Sequence, residues 1–353
     1  MSEGVILKGV KLPTLPDDFY DPSLFKLISS EGFLNTRWDD VPDELLIYVF
    51  LHDEPVLGKK RRKETKAEYY RDLMQFLQFA KAKGGIRHIQ PEHLLAYQLW
   101  LEGNDGTNNY KPTTIRKKST VIKQFYQYLF RKGVIQSDIT YKMKKVAQPK
   151  ELLVNRDLYE HEVQQLIDYF RKNDLFAYTL LLCLVSTGMR IEELATAKWR
   201  RLYFHLELGC YFLPVIGKGN KVREVRIFED VLDPLKELRR RRGLESELNA
   251  EDSSAFFPKA DGGHYNKKYL GSEFTKLIKE TGFPFVKHRT DPITPHTCRH
   301  YTAAYFAKKG IELDAIRDML GHASIKTTER YLWKQRRLED HAAVQLGERF
   351  INN

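Results

Sequence analysis

A strongly apolar stretch, LFAYTLLLCLVSTGMR at 175–190, constrains the fold of this chain more than any other feature. It has the length of a helix, and its composition predicts that this helix is buried. It is shorter than the roughly 18 apolar residues that a membrane span needs, and no other run of the chain approaches that length. We therefore expect a globular protein with no membrane partner.

Charge is distributed unevenly along the 353 residues. Residues 1–57 carry 4 Lys/Arg and 11 Asp/Glu, residues 58–150 carry 21 and 7, and residues 151–353 carry 33 and 29. The middle segment alone therefore has more positive charge than the net +11 of the whole chain. Such a block favours a polyanionic partner, above all nucleic acid, although a solvated basic surface gives the same pattern.

The length predicts at least two domains, because a single core rarely absorbs this many residues. Residues 58–148 have the pattern of a helical DNA-binding domain, residues 149–157 that of an exposed linker, and residues 158–337 that of a second, larger domain. A tail helix is predicted at 338–353. Residues 1–57 form an acidic extension to which the sequence assigns no role.

Three amphipathic helices are predicted in the basic segment, at 65–84, 91–103 and 113–133. Cationic helix faces suit the phosphate backbone of a duplex. The tract RRRR at 239–242 is a further candidate, and a solvated helix end explains it equally well. The candidate DNA contacts of the helical domain are Lys59, Lys60, Arg61, Arg62, Lys63, Arg116, Lys117, Lys118 and Lys123.

The second domain is predicted to be mainly helical with one β-hairpin. Two strand-like runs at 211–228 flank the turn GKGNK, and the chain is mostly helical in pattern from about Asp233 onward. The predicted fold class is therefore mainly α with a small hairpin or sheet (α+β). Three isolated cysteines, Cys183, Cys210 and Cys298, indicate reduced thiols in a cytoplasmic protein and disfavour a zinc module.

Several polar residues fall where a predicted helix begins or ends, or where the hairpin turns. Each has a simpler explanation when taken alone: a surface ion pair, a glycine-rich turn, a helix cap or a core aromatic. His296 and His300 have the spacing of metal ligands, but no third ligand lies nearby, so no metal is predicted. The set that needs an explanation is Arg190, Glu193, Lys218, His296, Arg299, His322 and Tyr331.

Together these residues suit phosphodiester chemistry. Two arginines hold the non-bridging oxygens bidentately without a metal ion, and a lysine can protonate the leaving alkoxide. Histidines can accept or donate the proton at the nucleophile. A tyrosine phenol can attack phosphorus to give a covalent phosphotyrosine.

The motifs that carry these residues closely resemble those of the tyrosine recombinase (phage integrase) family. The matching pieces are TGMRIEEL, GKGNKVREV, ITPHTCRHYTAAY and MLGHASIKTTERYLW, in the family's order, over roughly residues 157–335. Residues 58–150 are similar to the family's core-binding domain in pattern and charge. The resemblance implies a two-domain clamp around double-stranded DNA, four protomers assembled on specific sites, and no cofactor.

Carried over residue by residue, the resemblance implies a role for each of the seven positions. Arg190 and Arg299 would bind the scissile phosphate, and Glu193 would buttress them. Lys218 would be the general acid, and His296 a general base or phosphate ligand. His322 would hydrogen-bond a non-bridging oxygen. Tyr331 would be the nucleophile.

The expected activity is site-specific recombination through a 3′-phosphotyrosine, serving the integration, excision or transposition of a mobile element. The alternatives are a type IB topoisomerase-like enzyme, a Xer-like resolvase of chromosome or plasmid dimers, and a DNA-binding protein without activity. A nuclease that uses two metal ions is disfavoured, because the sequence lacks the clustered carboxylates that such a site needs. The tail at 338–353 is expected to dock on a neighbouring protomer, although folding back onto its own domain explains its apolar stripe as well.

Overall fold

The computed structural model describes residues 41–53, 63–103, 110–146, 157–217, 222–322 and 324, with scattered positions upstream at 6–7, 10–11, 19, 21–23, 25–26 and 38. The chain divides into two compact units, Met1–Leu152 and Leu153–Asn353. Both are mainly helical, and the second also holds a small antiparallel sheet, which confirms the predicted fold class. In the described ranges, no helix is long and apolar enough to cross a membrane.

The first unit has the three predicted amphipathic helices and one more before them. A short strand pair, β1 (Ile6–Leu7) and β2 (Val10–Lys11), precedes the helices, and 3₁₀ turns lie at Ile86–His88 and Ile139–Lys142. The apolar stripes predicted from sequence face a common core. The described helices of this unit are α1 (Asp43–His52), α2 (Lys63–Lys81), α3 (Pro91–Leu101) and α4 (Pro112–Arg131).

Helix α1 lies within the acidic segment 1–57 and is part of the first unit's core. Phe50 is fully buried, and its ring lies 5.3 Å from that of Phe125 on α4. At the end of the helix, Asp53 accepts a hydrogen bond of 2.9 Å from the hydroxyl of Tyr128 and pairs with Lys132 at 2.8 Å. An acidic residue of this segment therefore balances a basic residue of the same unit.

The second unit is arranged around α6, which is the apolar stretch recognised in the sequence. Nine of its 13 residues are buried and the others are partly buried, and α5, α8 and α11 pack against it. Asp174 caps its N-terminus by accepting hydrogen bonds from two backbone N–H groups. The helices are α5 (Glu160–Asn173), α6 (Leu175–Thr187), α7 (Ile191–Thr196), α8 (Glu229–Arg241), α9 (Lys267–Glu280), α10 (Pro284–Lys287), α11 (Pro295–Lys308) and α12 (Leu313–Leu320).

The sheet has the order β3-β4-β5, with all neighbours antiparallel. Strands β4 (Cys210–Ile216) and β5 (Val222–Ile227) form the predicted hairpin, while β3 (Tyr203–His205) was not predicted. Leu213 pairs with Val225, and both are buried against the helical core. The sheet thus presents one apolar face inward, as alternation along β5 requires.

Residues 242–266 contain no helix, although the pattern from Asp233 onward predicted mostly helix. Arg239 organises this segment from α8. It is fully buried, lies 3.9 Å over the ring of Trp199, and donates to the carbonyls of Glu245 and Ala255, each at 2.7 Å. The first arginine of the RRRR tract therefore has a structural role, because its guanidinium is enclosed by protein groups.

Candidate functional site

Arg190 stands at the junction between α6 and α7. Gly188 ends α6 in the left-handed region at φ 60°, and Arg190 is the residue before the first turn of α7. Its backbone N–H donates to Oε2 of Glu193 at 2.7 Å, and its Nη1 donates to Oε1 at 2.8 Å. A glutamate three residues into a helix is well placed for such a contact. The motif TGMRIEEL therefore fixes the Arg190 side chain, of which about a third (34%) remains exposed.

Glu193 is a buried carboxylate shared by two arginines. Its side chain is 2% exposed, and besides Arg190 it accepts hydrogen bonds from Arg223, from Nη1 at 2.7 Å and from Nη2 at 2.8 Å. Burial alone raises the pKa of Glu193, but the hydrogen bonds and charge of Arg223, with those of Arg190, lower it below its ordinary value. The carboxylate is therefore ionised at neutral pH and holds both guanidinium groups.

The C-terminal end of α12 is bound by three arginines. Gly321 ends the helix at φ 65°, and the N–H groups of Gly321 and His322 close a Schellman motif on Asp318 and Arg317. The next three carbonyls each accept a hydrogen bond from an arginine side chain. Arg223 Nε donates to the carbonyl of Met319 at 2.8 Å, and Arg299 Nη2 donates to that of Leu320. Arg190 Nη2 donates to the carbonyl of Gly321 at a longer 3.4 Å.

Arg299 also joins α11 to the end of α6. Its residue surface is 2% exposed, and Nη1 donates to the carbonyl of Gly188 at 2.6 Å. One turn further along α11, the hydroxyl of Thr302 donates to the carbonyl of Val185 at 2.9 Å. These bonds hold α11 against α6, so that Arg299 and Arg190 lie in the same neighbourhood.

Two histidines complete this cluster, and both have lowered pKa values. His296 is the second residue of α11 and remains exposed, yet desolvation of its ring and the charges of Arg299 and Arg190 lower its pKa. His322 follows the end of α12 and is half-buried. Desolvation, followed by the charges of Arg299 and Arg190, lowers its pKa to about 4. Both imidazoles are therefore neutral at pH 7, and each carries one N–H donor and one acceptor nitrogen.

The structure thus brings together five of the seven predicted site residues: Arg190, Glu193, His296, Arg299 and His322. Three arginines against one carboxylate leave an excess of two positive charges beside neutral imidazoles. This arrangement favours an oxyanion such as a phosphate diester. Lys218 and Tyr331 lie outside the described residues, as do Lys59, Lys60, Arg61, Arg62, most of the predicted linker and the tail at 338–353.

Arg223 belongs to the candidate site although the sequence did not predict it. It lies within GKGNKVREV, in a run whose pattern predicts only a strand. On β5 it shares the inward face with Val225 and Ile227, both 1% exposed. A charged residue in register with two buried aliphatic residues is a signal that it has a buried partner.

The predicted DNA contacts of the first unit fall into two groups. Arg116 and Lys123 are exposed on α4, and Lys117 is exposed but paired with Glu68. Lys63 is exposed at the start of α2. Lys118 differs, since its ammonium is mostly buried.

Lys118 donates to Asp72 and Gln75, each at 2.7 Å, and its side chain is 12% exposed. Because these contacts turn its charge toward α2, we do not include Lys118 among the proposed phosphate contacts.

Comparisons with known proteins agree on one family. The model of the phage integrase family matches residues 156–337, and that of the phage integrase N-terminal SAM-like domain matches residues 56–133. Tyrosine recombinase XerD of Halalkalibacterium halodurans is 29% identical over 289 residues, which are 80% of this chain and 90% of that protein.

Two solved structures share the fold. The XerH site-specific recombinase bound to a palindromic difH substrate, a post-cleavage complex, has a TM-score of 0.62 at 20% identity, covering 87% of this chain and 85% of that one. A lambda integrase dimer bound to a COC′ core site has a TM-score of 0.60 at 15% identity, covering 79% of this chain and 92% of that one.

Proposed function

The chain belongs to the phage integrase family, and from that premise we propose that it breaks and rejoins DNA at specific sites through a 3′-phosphotyrosine on Tyr331. Members of this family are tyrosine recombinases, so the chain is an enzyme of DNA strand cleavage and rejoining. The observation that carries the proposal is the cluster of Arg190, Arg299 and the neutral His322, in which the ionised carboxylate of Glu193 holds Arg190 and the buried Arg299 joins the two helix ends.

In the proposed cleavage step, the phenol oxygen of Tyr331 attacks the scissile phosphorus and gives up its proton to His296. The bond from phosphorus to the 5′-oxygen breaks, and Lys218 supplies the proton that the leaving 5′-hydroxyl needs. Arg190 and Arg299 stabilise the charge that builds on the non-bridging oxygens, and His322 donates a hydrogen bond to one of them.

Rejoining is the reverse reaction with a 5′-hydroxyl as nucleophile. Because the phosphotyrosine replaces one phosphodiester with another, the energy of the broken bond is retained and no nucleotide triphosphate is needed. If the attacking hydroxyl comes from a second DNA site, the product is recombinant. We propose that four protomers, each with its tail at 338–353 docked on a neighbour, bring two sites together in the cytoplasm.

Our proposal for the biological substrate is a mobile element, because residues 1–55 add a segment ahead of the family match at 56–133. Helix α1 lies in that added segment and is built into the first unit. The match to XerD of H. halodurans over 80% of this chain favours the alternative of dimer resolution. Recovery of element–chromosome junctions from cells that express the protein, compared with resolution of plasmid dimers, distinguishes the two.

The direct test of recombination is a plasmid that carries two copies of DNA from the flanks of the gene. The protein is incubated with it in EDTA, without ATP. We expect deletion or inversion between the copies, and loss of both products in Arg299→Lys, which cannot bridge Gly188 and Leu320. Relaxation of supercoils without any recombinant product would instead identify a topoisomerase-like enzyme.

Deletion of residues 338–353 tests the proposed assembly. We expect cooperative formation of the four-protomer complex to weaken more than binding to a single site, as measured by electrophoretic mobility shift. Equal losses of both would contradict docking of the tail on a neighbour.

A further inference from the structure

Arg223 connects three parts of the candidate site, and the reaction as proposed gives it no role. Its side chain is 10% exposed, and it extends from β5, five residues after Lys218 in the sequence. Both Nη groups bind Glu193, and Nε binds the carbonyl of Met319. All three nitrogen atoms of the guanidinium are thus engaged by groups from two other elements.

The turn that ends α12 also packs directly on the stem of Arg223. A Cβ built on Gly321 would lie 3.1 Å from Cδ of Arg223 and 3.4 Å from its Nε. His322 directly follows this turn. The Arg223 side chain therefore packs against the segment that carries His322. Glu193, on the other side, fixes the backbone and side chain of Arg190.

Neutralising Glu193 does not by itself explain this geometry. Arg190 already supplies one positive charge to the carboxylate at 2.8 Å. A second cation without directional contacts would complete the charge balance equally well. What arginine adds is a planar fork whose two Nη groups match both carboxylate oxygens while Nε points elsewhere, which a lysine ammonium cannot reproduce.

We propose that Arg223 is a positioning residue for strand cleavage, which holds Arg190, through Glu193, in register with the turn that presents His322. The inference deepens the proposed function and rests on it. Arg223 itself touches neither the nucleophile nor the phosphate in this role. Its contribution is geometric, and misplacement of a catalytic group by about 1 Å is enough to lower a rate by roughly 100-fold.

The test compares Arg223→Lys and Arg223→Gln with wild type in the full-length protein. Arg223→Lys keeps the charge but loses the fork, so it separates position from electrostatics. Arg226→Lys and Arg226→Gln are matched controls, because Arg226 lies on the same strand but is exposed over the ring of Phe228. Two quantities are measured: the His322 pKa by NMR, assigned with His322→Gln, and the rate of covalent adduct formation on flanking DNA.

We expect the His322 pKa to rise from about 4 toward its ordinary value in both Arg223 variants, because release of the turn exposes the imidazole. The adduct rate is expected to fall roughly 10- to 100-fold in both, while DNA affinity and the Arg226 controls stay at the wild-type level. Arg223→Lys retains the positive charge that balances Glu193. Its comparison with wild type therefore remains decisive even if Arg223→Gln unfolds.

Wild-type behaviour of Arg223→Lys in both measurements would overturn the inference, since charge alone would then suffice. A slower adduct rate with an unchanged His322 pKa would overturn it as well, because the turn would not depend on Arg223. If wild type itself forms no adduct, the proposed function fails, and the titration still decides whether Arg223 positions His322.

Discussion

The guanidinium of Arg299 donates a hydrogen bond of 2.6 Å to the carbonyl of Gly188 and a second bond to the carbonyl of Leu320. One buried side chain therefore joins the end of α6 to the end of α12. The two helix ends approach so closely that a Cβ built on Gly188 would lie 2.5 Å from Cδ2 of Leu320. The site depends on this approach, because Arg190 follows one helix end and His322 the other.

Gly188→Ala is expected to lower the free energy of unfolding by roughly 2–4 kcal/mol, from left-handed strain plus overpacking against Leu320. Gly209→Ala is the matched control, since Gly209 has the same φ of 60° with nothing within 4 Å of its added Cβ. It should cost only the strain, roughly 1–2 kcal/mol. Urea denaturation measures both, and equal costs would contradict the close approach.

Glu193→Gln should be strongly destabilising, because it leaves Arg190 and Arg223 without their buried carboxylate. We expect a loss of roughly 3–5 kcal/mol in the free energy of unfolding, together with slower adduct formation. Glu192→Gln is the control. Glu192 pairs with Lys267 at 2.7 Å on the surface, and its loss should cost no more than about 0.5 kcal/mol. A Glu193 variant as stable as this control would show that the carboxylate is not required.

Stability should fall as the pH drops below about 6.5, because folding lowers the pKa of His322 and, in the same direction, that of His296. The pKa of His322 falls from 6.5 to about 4 on folding, so between these values the unfolded chain binds more protons. Protonation of His322 lowers the free energy of unfolding by at most about 1.4 kcal/mol for each pH unit. This loss begins as the pH falls through 6.5 and is complete near pH 4. Near pH 4 the lowered pKa of Glu193 begins to add a further loss of stability.

His322→Gln should reduce this slope in urea denaturation measured at pH 4.5, 5.5 and 6.5. An unchanged slope in His322→Gln would mean that the folded protein protonates His322 as readily as the unfolded chain does.

Substitutions of basic residues on α4 should have two different effects: those of exposed residues should weaken DNA binding, and that of the buried Lys118 should lower stability. Arg116→Ala and Lys123→Ala each remove an exposed charge, so each should weaken duplex binding and lower the salt dependence of the affinity by about one unit in slope. Lys118→Ala should leave that slope unchanged and lower the free energy of unfolding by about 3 kcal/mol, because it strands Asp72. A lower salt dependence of DNA binding with unchanged stability in Lys118→Ala would place Lys118 at the DNA and contradict its pairing with Asp72.

Local patterns of sequence predicted local structure well. The apolar stretch at 175–187 forms the central helix of its unit, and the three amphipathic helices of the first unit occur within a few residues of their predicted bounds. The proximity of Arg190 and Glu193 was also predictable, since they are three residues apart at the start of a helix.

Contacts between distant residues were not predictable in this way. Arg223 meets Glu193 across 30 residues, and Lys118 meets Asp72 across 46, so nothing in either local pattern distinguished a buried ion pair from a solvated charge. Helix α1 was missed for a related reason. The acidic segment around it gave no role from sequence alone, and the pairing of Asp53 at its end with Lys132 joins residues that are far apart in the chain.

The central claim is that Tyr331 becomes covalently joined to DNA. Wild type, Tyr331→Phe and the control Tyr305→Phe are incubated in EDTA with supercoiled plasmid carrying DNA from the flanks of the gene. Adducts that resist denaturant are digested, and the modified peptide is identified by mass spectrometry. We predict a DNA-linked peptide that contains Tyr331, present in wild type and Tyr305→Phe and absent from Tyr331→Phe. An adduct that persists in Tyr331→Phe, or one mapped to another residue, would contradict the account.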